Sequence, residues 1–575
     1  MNFSPKLFST IKDYSKEQFY ADLMSGIIVG IVALPLAIAF GIASGVKPEV
    51  GLATAVIAGF IISFFGGSRV QIGGPTGAFI VIVYGIIQQF GLNGLIIATL
   101  MAGVILILLG AFKLGNVIKF VPYPVIVGFT SGIALTIFTT QIKDLFGLTI
   151  ANVPGDFIGK WLAYIGAMNT VNWWSVAVAA ASILIIVLMP RISKKIPGSL
   201  VAIIVMTVAV YLLRQYGFHI ETIGDRFGSS FSLPSPEVPH ITFDLVRILM
   251  PAAFTIAMLG AIESLLSAMV ADGVTGDRHD SNTELIAQGI ANIVTPFFGG
   301  IPATGAIART MTNINNGGRT PIAGIIHAIV LLLIMLFLGS LTQHIPMACL
   351  AGVLVIVSYN MSEWRSFTGI CRHWGTRRKH HKWWNITGKS KTSLAILMTD
   401  AGVLLITFAL TVMVDLTYAI VVGLLLGLIL LLKRVTESTS ISVIDREVIN
   451  SENEEELSAD DTDKLIIPKG VEIYEINGPF FFGVANKFNE QIKTVAEKPR
   501  VRIIRMRKVP FIDSTGLHNL RSLVRSSNRE GVRIILSGVN ENVHQTLQQT
   551  QFAQEIGEEN ICSDIYAALN QALIK

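Results

Sequence analysis

The sequence predicts a polytopic α-helical membrane protein of fourteen segments, arranged as two inverted halves of seven and followed by a small cytoplasmic α/β domain. Three observations carry that prediction. Hydrophobic residues make up 52% of the 575 and charged residues 14%, with a mean hydropathy of +0.61, whereas a soluble chain carries about a quarter charged residues. Apolar runs of the length a span needs, about 20 residues, recur along most of the chain. One interruption also occurs twice, as FFGGSRVQIGGPTGAF over Phe64–Phe79 and as FFGGIPATGAI over Phe297–Ile307. In each copy an apolar run ends in Phe-Phe-Gly-Gly and a new one opens on Thr-Gly-Ala. Matched interruptions in two halves point to a transporter site, because broken helices expose backbone groups at the membrane midplane.

Taken in order, the first half gives segments near 22–44, 49–65, 75–90, 94–112, 118–140, 174–190 and 198–213. The second gives segments near 248–271, 284–298, 304–315, 320–340, 344–359, 395–411 and 415–433. The shorter ones read as half-helices or re-entrant pieces. The first apolar run, Leu23 to Val46, is too long for a signal-peptide core and lacks a small-residue cleavage pattern, so it is a retained span. An even total puts both termini on one face, and an odd number per half inverts the second half. Lys12, Lys16, Arg69, Lys113, Lys119, Arg191, Lys194, Lys195 and Arg319 fall on the amino-terminal face, as does the run Arg372, Arg377, Arg378, Lys379 and Lys382. Lys47 and Lys143 fall on the other. The positive-inside rule therefore makes both termini cytoplasmic, and the expected location is the plasma (inner) membrane.

The net charge of +5 sits in loops, where it speaks to topology and not to nucleic acid. The run RHWGTRRKHHKWW, Arg372–Trp384, reads as a juxtamembrane anchor on anionic lipid. Gln141 to Trp173, with Trp161 and Trp174 nearby, reads as lying partly in the external interface. Cys349, Cys371 and Cys562 are far apart and lack metal-ligand spacing, so neither a disulfide framework nor a metal site is expected. After Arg434 the composition changes. Ser451–Asp463 (SENEEELSADDTD) is an acidic linker with little to bury. Strand-like GVEIYEI, VRIIRM and VRIILSG then alternate with helix-like runs around Asn486–Glu497, Ser514–Arg529, Asn540–Gln549 and Ser563–Ile574, which indicates an α/β domain. The expected division is a cytoplasmic segment over 1–21, a first membrane repeat over 22–213, an external loop over 214–247, a second repeat over 248–434, and linker plus tail domain over 435–575.

A helix begun inside the membrane presents unpaired N–H groups and about half a positive charge at its start. Two such starts converging make an anion site, with Thr76, Gly77 and Ala78 supplying one set of donors and Thr304, Gly305 and Ala306 the other. Small residues are needed there because an anion reaches backbone amides only where no bulky side chain intervenes. Arg309 lies about one and a half turns into the second interrupted segment. A cation at that depth costs about 2.5–3.5 kcal/mol on insertion scales, so it is expected to face a partner or an aqueous cavity and to complement the two helix starts. Glu263, within Gly260-Ala-Ile-Glu-Ser, falls near the middle of its span, where desolvation favours the protonated acid and a nearby cation opposes it. Intramembrane carboxylates of this kind are proton relays or cation ligands.

These residues resemble a known family. IVALPLAIAFGIASGV, IGGPTGAF, LGAIESLLSAMVADGVTG and ARTMTNINNGGRTPIAG look like the SulP (sulfate permease) anion transporters, and VEIYEINGPFFFGVANKF with FIDSTGLHNL resembles the STAS domain that ends them. The resemblance covers nearly the whole chain. It implies core and gate domains, usually a homodimer, and transport of an inorganic anion such as sulfate or bicarbonate, or of a small dicarboxylate, by an elevator-like motion. By position it implies that Thr76 to Phe79 and Gly305 to Ile307 frame the anion and that Glu263 holds the acidic coupling position. Sodium-coupled relatives tend to have Asp there, with a hydroxyl residue at the position of Ile307. Glu with Ile removes an oxygen ligand suited to a hard cation and favours proton-coupled symport. A sodium-coupled symporter and an uncoupled anion exchanger or channel are the alternatives. In stand-alone STAS proteins a hydroxyl at the turn Asp513-Ser514-Thr515-Gly516 is phosphorylated, which makes Ser514 and Thr515 candidates for regulatory phosphate and the tail a candidate for a cytoplasmic regulator. No enzyme chemistry and no cofactor is expected.

Overall fold

The computed structural model describes residues 3–115, 122–150, 153–192, 197–228, 236, 239–362, 364–365, 389–414, 416–444, 467–481 and 499–574. The Arg372–Trp384 anchor, Cys371, the Ser451–Asp463 linker and the Asn486–Glu497 helix lie outside them. The chain divides into two compact units, 1–427 and 428–575.

In the first half of the membrane part, α1 (Lys16–Ala43) and α2 (Pro48–Phe65) lead to a two-residue strand β1 (Gly73–Gly74), a 3-10 turn at Gly77–Phe79, and α3 (Ile80–Ala111). The predicted third and fourth segments form one element broken at Gly91, where φ is 68° and ψ −170°. A left-handed φ is open to glycine at no steric cost, so the chain turns there without a loop. Then come α4 (Tyr123–Phe146), α5 (Phe157–Gly166), α6 (Trp173–Ile192) and α7 (Gly198–Gln215). The second half runs α8 (Phe243–Thr275), α9 (Ser281–Val294), β2 (Thr304–Gly305), α10 (Ile307–Asn315), α11 (Pro321–Leu338), α12 (Met347–Met361), α13 (Lys389–Met413) and α14 (Leu416–Ser438). Helix α5 lies in the stretch read as interfacial, burying Lys160 and Tyr164 and exposing Ile158, Leu162 and Ile165. That is the face pattern of a helix lying along a membrane surface.

The packing shows the inverted repeat directly. Helix α3 packs on α8 and α9, and its counterpart α11 packs on α1 and α2, the counterparts of those two. Likewise α12 packs on α6 as α4 packs on α13. The strands that follow the two interruptions pair antiparallel with each other, Gly73 opposite Gly305 and Gly74 opposite Thr304, as equivalent pieces of an inverted repeat must. Helices α1–α3 and α8–α11 thus form the core, and α4, α6, α7 and α12–α14 the gate. With lipid tails as apolar as leucine, helix association depends on close approach. Gly103 and Gly289 supply it: a Cβ on either would lie 2.7 or 2.6 Å from the other's carbonyl oxygen.

The tail holds a five-stranded sheet in the order β3 (Ser440–Ile444), β4 (Val471–Asn477), β5 (Val501–Lys508), β6 (Arg533–Ser537), β7 (Ile561–Cys562). The first pair is antiparallel and the others are parallel. Side chains alternate across a strand, so Ile504 and Leu536 face α15 (Ser514–Arg529), while Ile503 and Ile535 face α18 (Ile565–Leu573) after the short α16 (Glu541–Gln549) and α17 (Phe552–Ile556). Strand β3 was not expected. SISVI is only five residues long and directly follows a helix, so it carries little pattern of its own and takes its conformation from pairing with β4.

Candidate functional site

At the first interruption α2 ends at Gly66, whose extended backbone (φ −65°, ψ 154°) turns the chain away from the helix. Glu284 of α9 accepts from the amides of Gly67 (2.8 Å) and Ser68 (3.1 Å), and its other oxygen accepts from Gln288 (2.8 Å). At the second interruption Gly299 takes a left-handed φ of 68°, and the hydroxyl of Thr54 accepts from the Ile301 amide at 3.0 Å. Each half thus holds the link that follows the other's broken helix by accepting from its amides, once with a carboxylate and once with a hydroxyl.

Beyond the strand pair, the chain enters the 3-10 turn through Thr76 and α10 through Ala306. Thr76 occupies a capping position without capping; its hydroxyl donates to Glu263 Oε2 at 2.8 Å. Thr304 donates to the Gly260 carbonyl at 2.8 Å, one turn before Glu263 on α8. The first intrahelical acceptor of α10 is Ala306 O, taken by Thr310 N, so the amides of Ile307, Ala308 and Arg309 have no carbonyl within the helix to bond. Thr76, Gly77, Ala78, Phe79, Thr304, Gly305 and Ala306 are buried, while Ile307 is 38% exposed. A Cβ on Gly77 would reach Met361 Sδ (3.0 Å), Ile137 Cδ1 (3.3 Å) and Phe40 Cε1 (3.5 Å), so this start faces α12 and α4 across the seam between core and gate.

Arg309 is 2% exposed, and its guanidinium donates to the backbone carbonyls of Gly73 (3.5 Å) and Pro75. It therefore braces the first interruption from the second, placing a fixed positive charge behind both helix starts. The structure brings Glu263, Thr76 and Arg309 to one place. Ser514 and Thr515 lie in the other compact unit, exposed at the start of α15, where Asp513 caps the helix by accepting from Gly516 N at 2.6 Å. Among the described residues no group of three or more His, Cys, Asp or Glu could hold a metal ion. Cys349 and Cys562 are free thiols.

Several residues that hold the site escaped the sequence reading. Gln71 donates to Ser264 (2.9 Å), Ser267 to Thr310 (3.3 Å), and Asn313 to the Val70 carbonyl (2.8 Å) while accepting from Ser25 (2.7 Å). Glu284 carried the signal that marked Glu263, a carboxylate inside an apolar segment; the neutral amides and hydroxyls carry no comparable cost and so no comparable signal. A Cβ on Gly305 would overlap the Gln71 side chain. Gly305→Ala is expected to lose about 1–3 kcal/mol of stability through overpacking and to lower anion affinity. Gly402→Ala, inside a helix and meeting nothing within 4 Å, is expected to leave affinity unchanged and stability equal or raised by up to about 1 kcal/mol. Thermal unfolding and anion titration of the two purified variants check this, and equal behaviour of the two would refute the tight fit.

Fold and site together define a multi-pass helical membrane transport protein whose candidate site lies where two broken helices meet, with an α/β domain at its carboxy end. The chain belongs to the sulfate permease family: that family's model matches residues 19–387, and the STAS domain model matches residues 464–572. It is 39% identical over 551 residues to the putative sulfate transporter YvdB of Bacillus subtilis, covering 96% of this chain and 97% of that one. It is 30% identical over 567 residues to the bicarbonate transporter BicA of Picosynechococcus, covering 96% and 94%. A solved structure of the murine Solute Carrier 26 family member A9 anion transporter in the inward-facing state shares the fold at a TM-score of 0.82 and 20% identity, over 100% of this chain and 94% of that one. The relatives are named transporters, and this chain is a transport protein and not an enzyme.

Proposed function

We propose that this chain moves a small inorganic anion such as sulfate or bicarbonate, or a small dicarboxylate, across the plasma (inner) membrane as a proton symporter. The membrane repeats cover 22–213 and 248–434, both termini are cytoplasmic, the chain pairs as a homodimer, and the core carries the anion past the gate in an elevator motion. One observation carries the reading: the two helix starts are joined by an antiparallel strand pair, with Arg309 behind them and Glu263 bonded to Thr76 beside them. With Glu263 ionised its charge offsets that of Arg309. With Glu263 protonated the site gains net positive character, so proton and anion favour each other's binding. The names of the sulfate and bicarbonate relatives support the substrate class.

A sodium-coupled reading has one observation in its favour, the Thr76 hydroxyl beside the Glu263 carboxylate, two oxygens that could ligate a hard cation. Purified full-length protein in proteoliposomes decides between them. Uptake of labelled sulfate, bicarbonate or dicarboxylate should be saturable, should rise with an inward proton gradient, and should need no sodium. Uptake that follows sodium and ignores pH would favour the second reading, and no uptake of any of these anions would sink both. In the tail, Ser514 and Thr515 present exposed hydroxyls at a helix start, where a regulatory phosphate is electrostatically favourable. We expect phosphopeptide mapping to find one of them modified; full coverage of that turn without phosphate, under several growth conditions, would remove this element.

A further inference from the structure

A cavity of about 450 Å³ opens between core and gate on the face opposite the amino terminus, lined by Tyr84 and Gln88 from α3, Thr140 from α4, Lys160 from α5 and Thr411 from α13. Lys160 is 5% exposed, and among the described residues its ammonium has no hydrogen-bond acceptor and no ion-pair contact; the Asp156 carboxylate acts on it electrostatically from beyond that distance. The aromatic ring of Tyr84 lies beside it, with Nζ 5.3 Å from the centroid. A buried ammonium without a direct ion pair is costly, and a ring face compensates it only in part. The carboxylate lining the cavity, Asp156, is exposed and accepts from the Gly159 amide at 2.6 Å, so it caps its own helix. The hydroxyls of Thr140 and Thr411 donate to backbone carbonyls of their own helices. The lining thus offers the Lys160 ammonium, the Tyr84 hydroxyl and the Gln88 amide as donors, with the Asp156 carboxylate at the exposed edge of the cavity. Tyr84 also lies seven residues, about 10 Å along the helix, from Gly77 at the first helix start.

We propose that this cavity is a second anion site, in which Lys160 and Tyr84 hold a small oxyanion before it passes along the 80–90 helix to the paired helix starts. The proposal rests on the anion-transport reading above and assigns a site outside the interruptions. Replacing a buried charge that lacks an ion-pair contact by an apolar side chain of similar length is expected to leave stability unchanged or to raise it.

The test uses the full chain in phosphatidylcholine vesicles with known orientation, measuring initial rates of labelled sulfate and bicarbonate transport from each face. Lys160→Met should raise the KM for anion at the face opposite the termini by about tenfold or more, the loss of one charge-assisted contact. It should leave kcat and the KM at the other face near the parent values and the melting temperature undiminished. Lys160→Arg should restore most of the affinity, and Tyr84→Phe should show a smaller rise. A parent protein that transports neither anion overturns the transport reading and this site with it. Normal parent transport with an external KM untouched by Lys160→Met overturns the second site alone, as does an equal rise at both faces. A KM effect seen only when anionic lipid is added would assign the cavity to a headgroup phosphate and likewise overturn the waiting site.

Discussion

Glu263→Gln is expected to abolish anion accumulation driven by a proton gradient while leaving anion binding intact. Glutamine is a neutral mimic of the protonated acid with nearly the same shape, and its carbonyl oxygen can still accept from the Thr76 hydroxyl that Glu263 holds at 2.8 Å. The contact that positions the first interruption is kept, and only the change of charge is lost. Removing a negative charge beside an anion site cannot weaken the anion electrostatically, so the dissociation constant should be equal to or below that of the parent. Anion exchange, which needs no net proton movement, should survive. Gradient-driven accumulation unchanged in the variant would take Glu263 out of the coupling mechanism.

Arg309→Ala should have the larger effect on the site itself. The guanidinium holds the carbonyls of Gly73 and Pro75 and supplies the buried positive charge nearest the helix starts. That charge acts on the anion through space and not by a direct bond, a contribution of about 1–3 kcal/mol, so anion affinity should fall by roughly 5- to 150-fold. The two carbonyls left unpaired add a stability loss that Glu263→Gln does not cause. Arg309→Lys should recover part of both, because an ammonium reaches one carbonyl but cannot fork to two. If Arg309→Ala binds anion as the parent does, the brace and its charge are irrelevant to the site.

Hydropathy made the spans readable, because each crossing must satisfy its own backbone and present apolar side chains over a fixed length. The interruptions were readable because Phe-Phe-Gly-Gly and Thr-Gly-Ala each occur twice, and Glu263 and Arg309 because ionised groups in an apolar run are costly. What each charge touches was not readable. Arg309 was expected to complement the helix starts toward an anion; that its guanidinium donates to carbonyls lying more than two hundred residues earlier in the chain was not legible. That partnership depends on Gly73 pairing with Gly305, a contact between halves that leaves no mark in either local pattern. The burial of Lys160 was hidden for the same reason. In sequence the residue is one cation in an amphipathic interfacial run, and its burial follows from the packing of α5 against its neighbours.

The central claim is that an oxyanion sits between the two helix starts. The most direct test is a structure of the full chain with selenate, whose heavy atom stands in for the sulfur of sulfate. Selenium density between the amides of Gly77–Ala78 and those of Ile307–Ala308, close enough for the selenate oxygens to accept from both, is the predicted result. Ordered selenate elsewhere in the membrane part, with these amides unoccupied at a saturating concentration, would contradict it.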